Sequence, residues 1–485
     1  MADDVSYGRA RQWTVLIALW LATLVVGLDT MVLSVALTTL SRDLGATNSD
    51  LQWVTDAYTL ALAALLLPAG LLADRIGRRR VLLAGLVVFG ASSAAGAVVD
   101  SPAQLIAARA VMGLGAAVLM SVPLSVVPTV FGAEGRGRAM SILVSGMMLG
   151  LPLGPILGGY LLEHYWWGSV FLINVPVVLV ALAVVAVTIT DTRAPDARRP
   201  DLAGVTLSTL GLVALVYGII EGPNRGWTDP VVLGALAGAV LLLLAFGLWQ
   251  THAANPLIRL SRFRDRRLST GLFTMTIASF ALFGVVFVVP QYLQVVLGYT
   301  ALGGGLRLLP MIAGLLASAP ASDRLARRYG RKLPVAGGML IIAVGLLVHS
   351  RITADSGYAL TAVGLAVEGF GIGLVLPPAM DAALGAFSGP EAGIGSATIQ
   401  SIRQVGAALS VAVLGSVLNV VYRNQIDPHL TGLPAGAAHA ARGSVGGATI
   451  VADRLGPAGR ALRAAADAAF SHGISALLLV CAGAA

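Results

Sequence analysis

Apolar residues in this chain come in long unbroken blocks separated by short polar stretches. Fourteen such runs can be followed, at approximately 13–37, 52–73, 80–99, 103–130, 138–162, 169–190, 203–221, 230–250, 268–296, 302–322, 333–350, 358–381, 395–421 and 471–485. About twenty apolar residues in a helix span a hydrocarbon core roughly 30 Å thick, and a helix satisfies its own backbone there. The pattern therefore predicts an all-α integral membrane protein with about fourteen transmembrane helices. The first run is too long for a signal peptide and lacks a small-residue cleavage site, so it reads as a retained span. The seventh and eighth runs are the least charged. They read as a central two-helix insert (203–250) between six-helix bundles at 1–190 and 268–485. The last run is short for a span, at about fifteen apolar residues. Before it lies a long Ala- and Gly-rich outer segment, 422–470, with helical spacing over 451–470.

Composition agrees. Hydrophobic residues make up 57% and charged residues 12% of the 485, against about 25% charged in soluble proteins, and mean hydropathy is +0.84. The charge that remains is placed asymmetrically. With the N-terminus inside, the tail and the loops after even-numbered spans (75–80, 136–138, 193–199, 259–267 and 324–332) hold 21 of the 32 basic residues. The short loops on the other side hold only Arg42, Arg225 and Arg351. This is a positive-inside pattern, predicting a multi-pass protein of the cytoplasmic (plasma) membrane with both termini cytoplasmic. It accounts for the net charge of +8 by topology and contact with anionic lipid rather than nucleic acid.

Other chemistry is scarce. The single lysine, Lys332, sits in Y-G-R-K-L, which does not fit a phosphate-cradling P-loop, so an ATP-driven pump is not expected. One cysteine, Cys481, leaves no internal disulfide and no cysteine metal site. There is no nucleophile–base constellation and no cofactor motif, so the chain reads as a non-enzyme without metal or cofactor.

Three motifs stand out. The loop after span 2 reads G-L-L-A-D-R-I-G-R-R-R, holding Gly70, Asp74, Arg75, Gly77 and Arg78; S-D-R-L-A-R-R-Y-G-R-K follows span 10. Related loops at matching places in two halves suggest an internal duplication. Asp74 is expected to accept from backbone N–H groups at the start of span 3, and the arginines to bind facing carboxylates or lipid phosphates. Span 4 holds Arg109 in L-I-A-A-R-A-V-M-G-L-G. Span 5 reads S-G-M-M-L-G-L-P-L-G-P-I-L-G-G-Y, with Gly146, Gly150, Gly154 and Gly158 at intervals of four, then Pro155 and Gly159. Such a stripe admits a closely packed neighbour, and Pro152 and Pro155 can bend the helix.

These motifs, with L-D-T-M-V-L-S-V-A-L in span 1, resemble the signatures of the major facilitator superfamily, in particular its fourteen-helix drug:proton antiporter family of QacA-like multidrug efflux transporters. The resemblance covers nearly the whole chain. It implies two six-helix bundles plus a central pair, alternating access, and proton influx driving export of lipophilic, often cationic drugs or antiseptics, hence antibiotic resistance. It also implies that Asp29 and Asp56 match membrane acids used for proton or substrate, and that Arg109 matches an arginine tied to coupling. The energy source would be the proton gradient. Two departures bear on substrate: span 10 has no acid, and span 13 has Gln400 and Arg403 where some relatives carry acids.

Counting 1.5 Å per residue places Asp29 about 24 Å from the inner edge, Asp56 about 6 Å and Arg109 about 9 Å from the outer one. Pairing among them is geometrically feasible. Glu368 reads as near the midplane of span 12, and no histidine reads as deep: His349 falls near the outer end of span 11. Proton transfer is therefore expected to fall to carboxylates. Asp29 is expected as the main proton or cation site tuned by Arg109, Asp56 as a second acid near the outer mouth, and Glu368 as completing the cavity; the plainer alternative is a static Asp29–Arg109 ion pair. Trp20, Met31, Tyr58, Met147, Met148, Phe280, Phe283 and Tyr292 are candidates for an adaptable apolar lining. The expected partners are small amphipathic molecules, protons and membrane lipid, with a monomeric chain. A dedicated exporter of an endogenous product (antibiotic or siderophore) and a non-transporting membrane receptor are the competing readings.

Overall fold

A computed structural model describes residues 9–131, 133–193, 201–387 and 392–485; of the basic loop residues, Arg198 and Arg199 fall outside these. The first seven helices are α1 (Arg9–Asp43), α2 (Asn48–Ile76), α3 (Arg78–Gly96), α4 (Pro102–Val130), α5 (Ala133–His164), α6 (Ser169–Leu172) and α7 (Asn174–Thr188). Then come α8 (Leu202–Arg225) and α9 (Pro230–His252). The remainder are α10 (Arg266–Gln291), α11 (Ala301–Leu306), α12 (Leu309–Tyr329), α13 (Lys332–His349), α14 (Tyr358–Leu384), α15 (Ala392–Ile426), α16 (Ala435–Gly443), α17 (Val445–Leu455) and α18 (Arg460–Ala484). Among the described residues they supply fourteen segments long and apolar enough to cross a membrane, with α6–α7 forming the sixth and α11–α12 the tenth.

Helix starts follow local chemistry. Thr47 and Asp50 form a reciprocal capping box at α2, Ser101 caps α4 just before Pro102, and Asp229 caps α9 just before Pro230. Each satisfies backbone N–H groups that a helix leaves unpaired at its start.

Helices α1–α7 pack together, as do α10–α15 with α18, and the α8–α9 pair leans on α2 and α15. The result is two six-helix bundles plus a central pair, the arrangement that the sequence resemblance implies. Little of α9 is buried beyond Val232, Ala239 and Gln250, as expected of a helix with lipid on most sides. By contrast α8 bridges the bundles. Its Ile219 carbonyl accepts from Ser416 (2.7 Å), its Pro223 carbonyl accepts from Arg423 (3.2 Å), and Asn224 bonds both Asn419 and Ser49.

Direct contacts between the bundles cluster at the end opposite the arginine-rich loops. Gln52 donates to the Val411 and Ala412 carbonyls (3.0 and 3.1 Å), and Gln294 to the Val35 carbonyl (2.9 Å). At the same end the Leu302 amide donates to Glu163 (3.0 Å), and Ser41 meets Ser444 (2.9 Å).

The expectation of a short last span is overturned. Helix α18 begins at Arg460 and runs for 25 residues. Arg460, Arg463, Asp467 and His472 interrupt its apolar run, yet Leu462, Ala466, Ala469, Phe470 and Ile474 form a buried face. The preceding segment is helical beyond 451–470 as well: α15 continues through 422–426, and α16 and α17 fold back over the bundle end, where Tyr422 donates to the Ala441 carbonyl (2.8 Å).

Candidate functional site

The lone acid of span 1 meets the lone base of span 4. Arg109 Nη1 lies 2.5 Å from Asp29 Oδ2, and their side chains are 2% and 0% exposed. Arg109 Nε donates to the Val54 carbonyl on α2 (3.1 Å), and its guanidinium lies 4.1 Å from the centroid of the Tyr58 ring. The other Asp29 oxygen accepts from Asn174 Nδ2 on α7 (3.2 Å), which also donates to Ser93 Oγ on α3 (3.2 Å). Five helices thus converge on one buried charge pair. A pair sealed this way holds together because geometry and added hydrogen bonds offset desolvation, and losing either partner strands a charge. Asn174 is the residue that sequence reasoning missed. Its signal was present as a single amide within the apolar stretch F-L-I-N-V-P-V-V-L.

Asp56 does not join this group. Gln52, Asp56 and Leu60 follow each other at intervals of four and so share one face of α2. Gln52 binds α15, and Leu60 packs with Val216, Ile220, Ala408 and Ala412. Asp56 therefore faces the seam between α2, α15 and α8, fully buried, with neither carboxyl oxygen hydrogen-bonded among the described residues. Equal depth did not imply contact, because the rotation of α2 sets the direction of each side chain. Arg403 is partly buried on α15, its Nε unpartnered, with no described carboxylate paired to it.

Glu368 corrects two expectations. Its carboxyl is turned onto α13, where Oε1 lies 2.9 Å from His349 Nδ1. The two side chains are 2% and 0% exposed, so Glu368 opens onto no cavity in this conformation, and a histidine is buried in the interior after all. His349 is the last residue of α13, where the sequence placed it, but the helix end is covered and the side chain is fully buried. A Cβ on Gly364, six residues into α14, would lie 2.8 Å from His349 Cβ. The loop beyond is tied down by Tyr292, whose hydroxyl donates to the Thr353 carbonyl (2.9 Å), and by Ser475 donating to Ile352 (3.3 Å).

The arginine-rich loop is latched within its own bundle. Asp74 accepts from Arg78 Nε (2.9 Å) rather than from backbone N–H groups of α3; the Arg78 amide instead donates to the Thr192 carbonyl (3.0 Å), which removes it from Asp74's reach. Arg80 pairs with Asp191 (2.9 Å), and Arg79 donates to the Ala186 carbonyl. Gly77 has φ +130°, and a Cβ there would overlap the Asp191 carboxylate. Arg75 is exposed, and Gly70 has ordinary space beside Ser121. The second-half counterpart, Asp323–Arg327, also pairs at 2.5 Å but in the open, 59% and 71% exposed.

The span 5 motif has two working faces. Gly146, Gly150, Gly154 and Gly158 all abut α1, where a Cβ on Gly150 would lie 2.6 Å from the Gly27 carbonyl carbon. Gly159 and Pro155 instead meet α11 of the other bundle, Gly159 against Leu302 and Pro155 against Gly305. Helix α5 runs through Pro152 and Pro155 without a break. Of the expected apolar lining residues, Met31, Tyr58 and Tyr292 are buried between helices, Trp20 bonds Ser145 (3.2 Å), and Met148 is exposed.

The family model described as Major Facilitator Superfamily matches residues 19–411. The chain belongs to this superfamily. Fourteen segments among its described residues are long and apolar enough to span a membrane, and its relatives are named for drug export, efflux or resistance. It is 35% identical over 411 residues to the tetracenomycin C resistance and export protein of Streptomyces glaucescens, covering 84% of this chain and 76% of that one. It is 32% identical over 480 residues to the multidrug efflux pump LfrA of Mycolicibacterium smegmatis (97% and 94%). Over 487 residues it is also 32% identical to the methyl viologen resistance protein SmvA of Salmonella typhimurium (98% and 97%). Among solved structures, a bacterial homolog of the human lysosomal transporter Spinster, inward-facing and unoccupied, aligns with TM-score 0.70 at 16% identity, over 98% of this chain and 96% of that one. That likeness concerns the superfamily fold.

Proposed function

We propose that the chain is a proton-coupled antiporter that exports lipophilic, cationic or amphipathic drugs across the cytoplasmic membrane, with both termini inside. The arginine asymmetry supports the orientation, and the relatives' named roles in drug efflux and resistance support export. Coupling rests on one observation, the buried Asp29–Arg109 pair with Asn174 as second donor. Protonating Asp29 removes the charge that Arg109 and Asn174 hold, which frees α1 from α4 and α7. Re-ionisation restores the grip. A proton taken from one side and lost to the other thus alternately loosens and locks the first bundle. In this conformation the bundles meet at the outer end, which suits loading from the inside. The source of energy is the proton gradient, and no bound cofactor takes part.

The test is reconstitution in proteoliposomes with ethidium as a fluorescent lipophilic cation. With no membrane potential imposed, wild-type efflux is expected to require an imposed pH gradient, and Asp29→Asn to lose much of the drug-evoked proton flux. Efflux that survives dissipation of the gradient would overturn the coupling. A dedicated exporter of an endogenous product is a second reading, favoured by relatives named for export of tetracenomycin C and of cephamycin. It predicts tight selectivity among structurally unrelated cations, where the first predicts tolerance.

A further inference from the structure

The second bundle contains its own buried titratable pair, outside the group around Asp29. His349 Nδ1 and Glu368 Oε1 are 2.9 Å apart, while His349 Nε2 and Glu368 Oε2 are buried without a partner among the described residues. Buried polar atoms with free valences are rare in native folds and ask for a reason. The space here is built for the pair. A Cβ on Gly364 would crowd His349 at 2.8 Å, and one on Gly345 would lie 3.0 Å from Glu368 Cγ. These two glycines let α13 and α14 close around an imidazole and a carboxyl.

Among the described residues, no other charged group is paired with His349 or Glu368 to settle how many protons the pair holds. From α14 itself comes Thr361, buried with an unpartnered hydroxyl, two turns from Glu368. From α18 comes the buried Cys481 thiol, beside Gly284 of α10. The Tyr292 hydroxyl beyond α10 is bound to Thr353, and Ser322 of α12 donates to the Leu374 carbonyl. Arg307, between α11 and α12, lies over the Tyr299 and Tyr358 rings, 3.5 and 5.3 Å from their centroids. Asp381 lies thirteen residues further along α14, exposed at the arginine-rich end. One proton therefore separates a net-neutral pair from a singly negative one. A net charge in such a dry site is costly enough to be tied to conformation.

We propose that His349 and Glu368 together form a second proton-binding site, which takes up and releases one proton per transport cycle in addition to the one carried by Asp29. The inference rests on the proton-coupled reading above and adds a count to it. Two protons entering for each monovalent cation leaving move one net charge across the membrane, whereas one proton for one cation moves none.

Ethidium exchange in proteoliposomes, with the membrane potential clamped by potassium and valinomycin and the pH gradient set separately, reads that count. Wild-type exchange is expected to respond to both. Glu368→Gln, whose amide oxygen still accepts from the imidazole, is expected to keep pH-driven exchange and lose the response to potential; His349→Gln should behave likewise. A wild type driven by pH but indifferent to potential would overturn the second site and leave the proposed function standing. Exchange indifferent to pH would overturn both. Undiminished potential sensitivity in the folded variants, or loss of all exchange in them, would also overturn the second site, since the Asp29 route should still run. Should neither variant fold, the infrared difference spectrum of Asp29→Asn/Asp56→Asn protein between acidic and alkaline buffer decides. A buried-carboxyl band changing together with an imidazole band supports the site, and absence of either overturns it.

Discussion

Gly305 of α11 rests against the backbone of Pro155 in α5, so closely that a Cβ on Gly305 would overlap the Pro155 carbonyl oxygen. This contact joins the two bundles at the end away from the arginine-rich loops, and it makes the span 5 motif part of a closure as well as a packing stripe. Gly305→Ala is expected to disfavour the closed outer end. Overpacking costs about 1–3 kcal/mol, a shift of roughly fivefold to 150-fold in a conformational equilibrium. Maleimide labelling of a cysteine introduced at Ser41, buried against Ser444 at the same end, should accelerate accordingly in the Gly305→Ala background. An unchanged labelling rate would show that the contact does not hold the end shut.

Gly150→Ala tests the other face of the same helix. Its Cβ meets the Gly27 and Leu28 backbone, which cannot rotate away as a side chain can. The expected result is loss of folded protein, read as aggregation on size exclusion, without the labelling change that marks Gly305→Ala.

Asp29→Ala strands the Arg109 guanidinium in the interior, and breaking a buried pair from one side costs about 3–5 kcal/mol. The thermal midpoint in detergent should fall markedly. Adding Arg109→Leu should recover much of the loss, because a neutral apolar pair leaves no uncompensated charge, while the proton movement carried by Asp29 is not restored. A double variant no more stable than Asp29→Ala would place the cost elsewhere.

Asn174→Ala removes a donor to Asp29 and a bond to Ser93. Hydrogen bonds to charged groups are worth about 1.5–3 kcal/mol, so its midpoint should drop more than that of Ser93→Ala, in which Asn174 still holds Asp29. Equal effects would remove Asn174 from the pair's support.

Gly77→Ala combines an unfavourable φ with overlap of Asp191. Strained backbone costs about 1–3 kcal/mol, and displacing Asp191 frees Arg80. Trypsin should then cut at Arg78–Arg80 faster than in wild type, and adding Asp191→Ala should relieve the steric part only.

The spans were readable because lipid enforces an unbroken apolar length, and that length survives any detail of packing. Asp29 and Arg109 were readable for a related reason: a charge in such a run has few ways to exist. What escaped the sequence was rotational. Asp56 lies at a similar estimated depth but faces the α2–α15–α8 seam, and Glu368 turns toward α13 instead of a cavity. His349 does end its helix, as its place in span 11 suggested; its burial comes from the neighbour, because α14 presents Gly364, where a Cβ would crowd the imidazole, and the loop beyond is tied down by Tyr292. The start of α18 was hidden by polar residues that interrupt its apolar run, although the buried face beneath them continues to Leu462.

The bonds that α8 makes to Ser49 on one bundle and to Ser416, Asn419 and Arg423 on the other have a mechanical consequence. They fasten the α2–α15 edge with a third helix, while the α5–α11 edge is closed mainly by small residues in contact. When the outer end opens, the bundles should therefore swing apart like the covers of a book with α8 along its spine, and cargo should leave on the unbound side.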